Sequence, residues 1–424
     1  MKIKEDFLHY LWDHSKIPPS VLYTTAGKPV IVVKRGSLNT NAGPDFLNAV
    51  IKIGDQLWAG HIEMHLHSSL WYEHGHQEDP NYKNVILHVV WRHDKEVALQ
   101  KDSILPVIAL EGRLPEAFLQ SYLQLSAVTS QTLNCAEQHQ RASISLWNEW
   151  YSELYQKRLR TRFRAMVAMA PELRTHWEEL LFRAVFRYMG AKVNADSFYS
   201  VAAALGVERV RKIIGAGEDL ETVLNGMAGL LQRKEVVGND SMRLKEYSYL
   251  KKKYHLEEQG IIRPQYFRLR PQSFPEIRLS QLAALYSGRV SFFSGMLACK
   301  SSREFRSLFS VKQERTGGHR AGDTGFSRQV KAISKARIDL LLLNAVFPVL
   351  YAYHRNRGVD MLDQLAGMAA EISPEQNSVL NRLKTEGVPL RNAHDSQALL
   401  ELYGNYCSQN RCLHCKIGSF IIGG

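Results

Sequence analysis

Two carboxylates and a run of imidazoles between residues 43 and 67, GPDFLNAVIKIGDQLWAGHIEMHLH, are the residue types that hold metal ions and move protons. Asp45 follows Gly43-Pro44 at the mouth of one apolar run, and Glu63 lies inside the next, with His65 and His67 after it. Strand side chains alternate faces, so His61, Glu63, His65 and His67 are expected on one side of a strand, beside Asp45 on its neighbour. Paired carboxylates offer hard oxygen donors. These suit Mg²⁺ or Mn²⁺, which activate water and offset charge on a phosphate under attack.

Strands must carry these groups. Pro29 to Lys34 is β-branched and ends at Arg35-Gly36, Phe46 to Ile53 ends at the turn Gly54-Asp55, and Leu57 to Leu66 follows at once, so a hairpin is expected. A polar, aromatic stretch from His67 to Asn84 leads to a fourth apolar run, Val85 to Trp91. Ahead of them, Phe7, Leu8, Leu11 and Trp12 recur at helical spacing. The expected order is helix, three strands, a partly helical crossover and a strand.

That order, with Pro44-Asp45 before Glu63-Met64-His65, resembles the core of the PD-(D/E)XK nuclease superfamily. The resemblance implies an Asp and a Glu on adjacent strands holding one or two divalent metals, with a Lys two residues after the second carboxylate to orient the attacking water. Here that position is His65, which has a different reach and titrates near neutrality.

The histidines support a rival assignment. His61, His65, His67, His74, His76 and His88, with Asp79, crowd one stretch, and Zn²⁺ prefers imidazole to an all-carboxylate site. About half of them are expected to serve as hydrogen-bonding supports. No H-E-x-x-H spacing occurs among them.

Over the whole chain the sequence resembles a bacterial family of unknown function, DUF2851. The residues that carry the likeness are Asn41 to Phe46, Gly60 to His65, Ser69 to His76, Tyr82 to Val90, Arg270 to Leu279, and Tyr406-Cys407 with Arg411 to Cys415. It implies no activity.

At 424 residues, 45% of them hydrophobic and 23% charged, the chain is long enough for two or three cores. No uninterrupted apolar run reaches about 18 residues, and MKIKEDFLHY has neither an apolar signal core nor a small-residue cleavage site. With five cysteines, an odd number clustered near one end, a cytoplasmic, reducing location without membrane contact is the expectation. The formal charge is +12, and all of it arises after residue 115. A basic module beside a metal-site module is the arrangement expected of a protein that holds a phosphate backbone with one and acts on it with the other. The bland alternative is a solvated basic surface.

Beyond Pro106 and the turn Glu111 to Pro115, apolar residues recur at spacings of three and four, so the remainder is expected to be all-α. Within Lys157 to Arg164, Arg158/Arg162 and Arg160/Arg164 form i,i+4 pairs on adjoining helix faces, a candidate phosphate-facing ridge. Arg270 and Arg278 flank Phe274 in a proline-rich turn suited to clamping a phosphate, or else pair with Glu276. Thr316 to Gly325 is Gly-rich but lacks the Lys-Ser/Thr ending of a phosphate-binding loop. Cys407, Cys412 and Cys415, spaced C-x4-C-x2-C, suit Zn²⁺ or an iron–sulfur cluster if a fourth ligand arrives. Cys135 is the candidate, with His414 or His394 as substitutes, and the arrangement is similar to the cluster that staples the ends of some PD-(D/E)XK nucleases. Cys299, in an apolar stretch, is expected to be packing.

These readings combine into an α+β protein: a restriction-endonuclease-like α/β core over residues 1–115 (helix, three strands, helix, strand), then a larger basic all-α domain over 116–424. The expected activity is hydrolysis of DNA or RNA phosphodiesters with Mg²⁺ or Mn²⁺ on Asp45, Glu63 and the Met64 carbonyl, His65 in the Lys position, and Glu5 as a further carboxylate. The alternatives are a nucleic-acid-binding protein with an inactive nuclease-like core, and a histidine-site metallohydrolase of a small molecule.

Overall fold

The computed structural model describes residues 3–98, 103–127, 133–232, 240–287, 291–310 and 332–423. The Gly-rich stretch Thr316 to Gly325 lies outside them. The chain divides into two compact units. One comprises Met1–Trp150, Arg382–Val388 and Leu402–Gly424, and the other Tyr151–Asn381 with Pro389–Glu401.

The first unit is built on a mixed sheet. Its elements are helix α1 (Glu5–Asp13), strands β1 (Val30–Lys34), β2 (Ser37–Leu38), β3 (Phe46–Ile53) and β4 (Gln56–His67), helix α2 (Leu70–Glu73), strands β5 (Val85–Arg92) and β6 (Val107–Ala109), and helix α3 (Glu116–Ser126). The strand order is β1-β3-β4-β5-β6, with β2 on β3. β3 is antiparallel to both β1 and β4, and β5 runs parallel to both β4 and β6. The β3–β4 hairpin closes through Gly54-Asp55, where Gly54 takes φ +57°, because a two-residue turn needs a positive φ. From Val85 to Val90 every residue of β5 is buried, as a strand inside parallel pairing must be. β2 and β6 are too short to show a period, and Pro106 masks the start of β6.

Two irregularities position the carboxylates and the parallel strand. The β3 register slips between Phe46 and Ala49, where Asn48 adopts φ +58°, a bulge that sets Phe46 opposite Ile62 and so Asp45 across from Glu63. Gly60 is the second. A Cβ there would lie 2.4 Å from the Asn84 carbonyl, which accepts the His61 amide at 2.8 Å, so only glycine admits the entry of β5 beside β4.

α1 buries Phe7, Leu8, Tyr10, Leu11 and Trp12, and Phe7 stacks on Tyr122 of α3 at 4.0 Å. Acidic Glu5 and Asp6 occupy its first turn, where the helix dipole favours them. Helix Lys416–Gly423 packs on α3, and Tyr10 reaches Ser419 Oγ at 2.8 Å. The sheet unit therefore extends past residue 115, where the strand signals fade, and takes the chain back near its C-terminal end.

The second unit is helical around one continuous core, from Tyr155 to Ala393, with Phe182, Phe186, Leu282, Phe305 and Phe347 at its centre. By length and composition Lys335–Asn356 is apolar enough to cross a bilayer, but 72% of that window is buried inside the protein, as in a core helix. It contains a π-turn at Leu342–Val346.

Candidate metal centre

The register of the β3–β4 hairpin brings Asp45 and Glu63 together. The Asp45 amide donates to Glu63 Oε2 at 3.2 Å, and Asp45 Oδ2 accepts from the Met64 amide at 2.9 Å. His9 Nε2 on α1 lies 3.2 Å from the same Oδ2. The other Glu63 oxygen, Oε1, stands 3.4 Å from both His65 Nε2 and His76 Nε2. His74 comes from the end of α2, its Nδ1 3.2 Å from His65 Nε2. Among the described residues, His65, His74 and His76 are the set of three potential ligands whose donor atoms all lie within 4.8 Å of one another.

Support comes from behind. His88 on β5 is fully buried, and its Nε2 lies 2.9 Å from His65 Nδ1. His76 stacks on Tyr82, with ring centroids 3.8 Å apart, and lies parallel to the His65 ring. A small cavity of about 180 Å³ opens beside His76 and Tyr82, bordered by Asp79 and Lys83.

Burial decides the charge states. Glu63, 4% exposed, has its carboxyl raised to about 9, by desolvation first and by the Asp45 charge second. His65 is pushed down to about 2 by burial and by the neighbouring imidazoles His88, His76 and His74, and His88 to about 3 by burial first. Burial likewise lowers His76, against the pull of Asp79 and Asp45. Burial would also lower His9, but the bond and charge of Asp45 outweigh it and leave His9 above its usual value. Tyr82 is held well above the ordinary phenol range by burial and by three carboxylates, Glu63 first. Neutral imidazoles and a carboxyl that gives up its proton only to a stronger cation are the groups a divalent metal displaces protons from or binds directly.

Other expected members lie elsewhere. His61 accepts the Asn48 amide at 3.2 Å and so braces the β3 bulge. His67, half-exposed at the end of β4, faces Asp94 at 3.9 Å. Asp79 caps the turn Pro80–Tyr82 by accepting the Asn81 amide. Glu5 is half-exposed one helical turn before His9, and it is His9 that reaches Asp45. His9 carried a signal, a lone imidazole at i+4 from Glu5 within the apolar run of α1, but nothing local shows that this helix covers Asp45.

The arginine ridge divides. Arg158 is largely covered, donating to Gln397 at 3.1 Å and facing Glu401 at 4.0 Å, and burial pushes it down to about 10. Arg162 donates to Tyr188 at 3.3 Å. Arg160 and Arg164 instead line a cleft of about 650 Å³ with Arg174, Arg355, Trp177 and Tyr351, all within the helical unit. The expectation for Arg278 is overturned. It is 9% exposed, donates to Gln281 at 3.0 Å and Ser273 at 3.3 Å, and braces the turn instead of reaching solvent. Arg270 is exposed at the start of that turn, and Glu276 accepts from Tyr266 at 2.8 Å. In the sheet unit, Cys135, Cys407, Cys412 and Cys415 all line one small cavity. His414 is exposed outside it, His394 lies beside Tyr155 and Asp395 in the helical unit, and Cys299 packs against the helical core.

The family model described as protein of unknown function (DUF2851) matches residues 5–378. The chain belongs to that family. The matched stretch of this DUF2851 chain contains Asp45, Glu63 and all the histidines of the site, and ends before the C-terminal cysteines. No curated protein and no solved structure gave a match.

Proposed function

We propose that the sheet unit is a metal-dependent phosphodiester hydrolase, a nuclease of the general PD-(D/E)XK kind, that uses imidazole as well as carboxylate ligands. One observation carries this reading. Asp45 and Glu63 are paired across β3 and β4, with His65 two residues on and its Nε2 facing Glu63 Oε1. The order of α1, three antiparallel strands, a crossover with α2 and a parallel β5 supports it.

The donor set bears on the ion. An all-oxygen site suits Mg²⁺, whereas imidazole beside carboxylate suits Mn²⁺, Zn²⁺ and similar ions, so the expected Mg²⁺ gives way to Mn²⁺ or a softer ion. If His65 Nδ1–H donates to His88 Nε2, the lone pair on His65 Nε2 is left facing Glu63 and His76, the tautomer a metal ligand needs. The ion would lower the pKa of a bound water and offset charge on the phosphate. Around it, Asp45 and Glu63 fix the donor oxygens, His9 steadies Asp45, and Lys83 at the small cavity offers a cation to a phosphate oxygen.

The Arg160/Arg164/Arg174/Arg355 cleft, with Trp177 and Tyr351, supports a nucleic-acid substrate, because guanidinium groups bind phosphates and aromatic faces stack bases. The test is hydrolysis of labelled single- and double-stranded DNA and RNA by the full chain, with Mn²⁺, Zn²⁺ or Mg²⁺ added singly. Cleavage that requires metal and disappears in Asp45→Asn and Glu63→Gln is expected. Cleavage that survives both substitutions rejects the reading.

A further inference from the structure

Four of the five cysteines meet in one place, far from the histidine site in sequence. Cys135 lies in the turn after α3, whereas Cys407, Cys412 and Cys415 belong to the tail. All four line a cavity of about 20 Å³, room for a single small species, walled by Leu125, Leu133 and Tyr406. Apolar walls around convergent thiols are the setting in which a metal–thiolate centre is protected from water.

The backbone is shaped around this point. Asn410, at φ +53°, turns the loop between Cys407 and Cys412, and the Arg411 amide returns to the Tyr406 carbonyl at 2.9 Å. Cys415 immediately precedes helix Lys416–Gly423, and its carbonyl accepts the Ser419 amide at 2.8 Å, so the residue stands at the helix end that favours negative charge. Gly418 completes the fit, since a Cβ there would lie 2.1 Å from the Cys412 carbonyl oxygen. Asn134 donates to the Leu125 carbonyl at 2.8 Å and points its amide at Cys412 Sγ, 3.9 Å away, the kind of N–H contact that a thiolate accepts.

We propose that Cys135, Cys407, Cys412 and Cys415 form a tetrathiolate metal site that clasps the tail onto the sheet unit. The ligand chemistry is that of a thiophilic metal, either one zinc ion or an iron–sulfur cluster. The cavity, with room for a single small species, fits one zinc ion directly, whereas a cluster would have to push its walls apart. The clasp has a mechanical role. It anchors helix Lys416–Gly423, whose Ser419 bonds Tyr10 on α1, the helix that carries His9. It is independent of whether the histidine site is a nuclease.

The experiment is metal and acid-labile sulfide analysis, with visible absorption, of the full chain carrying His74→Ala and His76→Ala, which remove metal held at the histidine site, purified anaerobically from cells supplied with both metals. One zinc per chain without colour, or iron with sulfide and a broad visible band, supports the site and identifies its occupant. Cys135→Ser and Cys412→Ser are each expected to lower the content at least about tenfold, with Cys299→Ser unchanged. Should either variant fail to fold, chelation of the His74→Ala/His76→Ala parent is expected to remove the metal, lower the melting temperature and expose the tail to protease. Parent protein free of both metals, metal retained in its serine variants, or a melting temperature indifferent to chelation overturns the proposal.

Discussion

Asp45 and Glu63 are clamped by each other's strand: the Asp45 amide holds Glu63 Oε2 at 3.2 Å, while the amide following Glu63 holds Asp45 Oδ2 at 2.9 Å. Each carboxylate thus keeps one oxygen fixed on the main chain. Geometry of this kind costs no side-chain reorganisation when a cation arrives.

The buried Glu63 makes metal-free stability depend on pH. Its carboxyl titrates near 9 when folded and near 4.5 when unfolded, so the folded chain keeps a proton that the unfolded chain has lost. Stability from this group is full below the unfolded value and is lost as pH rises toward the folded one. Glu63→Gln should therefore melt higher than the wild type at about pH 8 and alike at about pH 4, and Mn²⁺ should narrow the difference at the higher pH. Equal melting at both values would refute the assignment.

His65 and His88 act in the opposite direction. Held at about 2 and about 3 when folded, they stay neutral while the unfolded chain protonates them, so stability falls as pH drops below about 6.5. His88→Ala should remove part of that acid sensitivity. It also strips His65 Nδ1 of its partner, at a cost of about 2 kcal/mol, and weakens metal binding about tenfold or more. Calorimetric metal titration at neutral pH measures the second effect, and unaltered affinity would show that the His65 orientation does not matter.

His65→Lys restores the residue of the resembled superfamily. It replaces an imidazole ligand with a cation, so the preferred ion should move from Mn²⁺ or Zn²⁺ toward Mg²⁺, with a lower melting temperature because His88 loses its bond. Rates with each ion decide this, and an unmoved preference would remove His65 from the ligand set.

The divided arginine ridge predicts two phenotypes on one helix. Arg164→Ala should weaken nucleic-acid binding and reduce the slope of affinity against salt by about one counterion, leaving melting unchanged. Arg158→Ala should leave the slope alone and cost about 2 kcal/mol, because it removes a largely buried guanidinium that donates to Gln397 and faces Glu401. Identical behaviour of the two variants would contradict the division.

The four longest strands and most of the helices were legible because β-branched runs and three-four spacing speak through a few adjacent residues. Asp45, Glu63 and His65 were legible for the same reason, since one hairpin of short turn fixes their parity. His9 and the cysteine meeting place depend on which helix covers which strand, and Arg158 looked like Arg164 because only Gln397 and Glu401, distant in sequence, separate them. His61 is a hydrogen-bonding support because the Asn48 bulge claims its ring nitrogen.

The return of residues 402–424 to the sheet unit has a temporal meaning. A ribosome delivers α1 and every strand early, but the segment that braces α1 emerges only after the whole helical unit has been translated. A nascent chain therefore holds its His9 helix without Ser419, the tail partner of Tyr10, while the helical unit is being made.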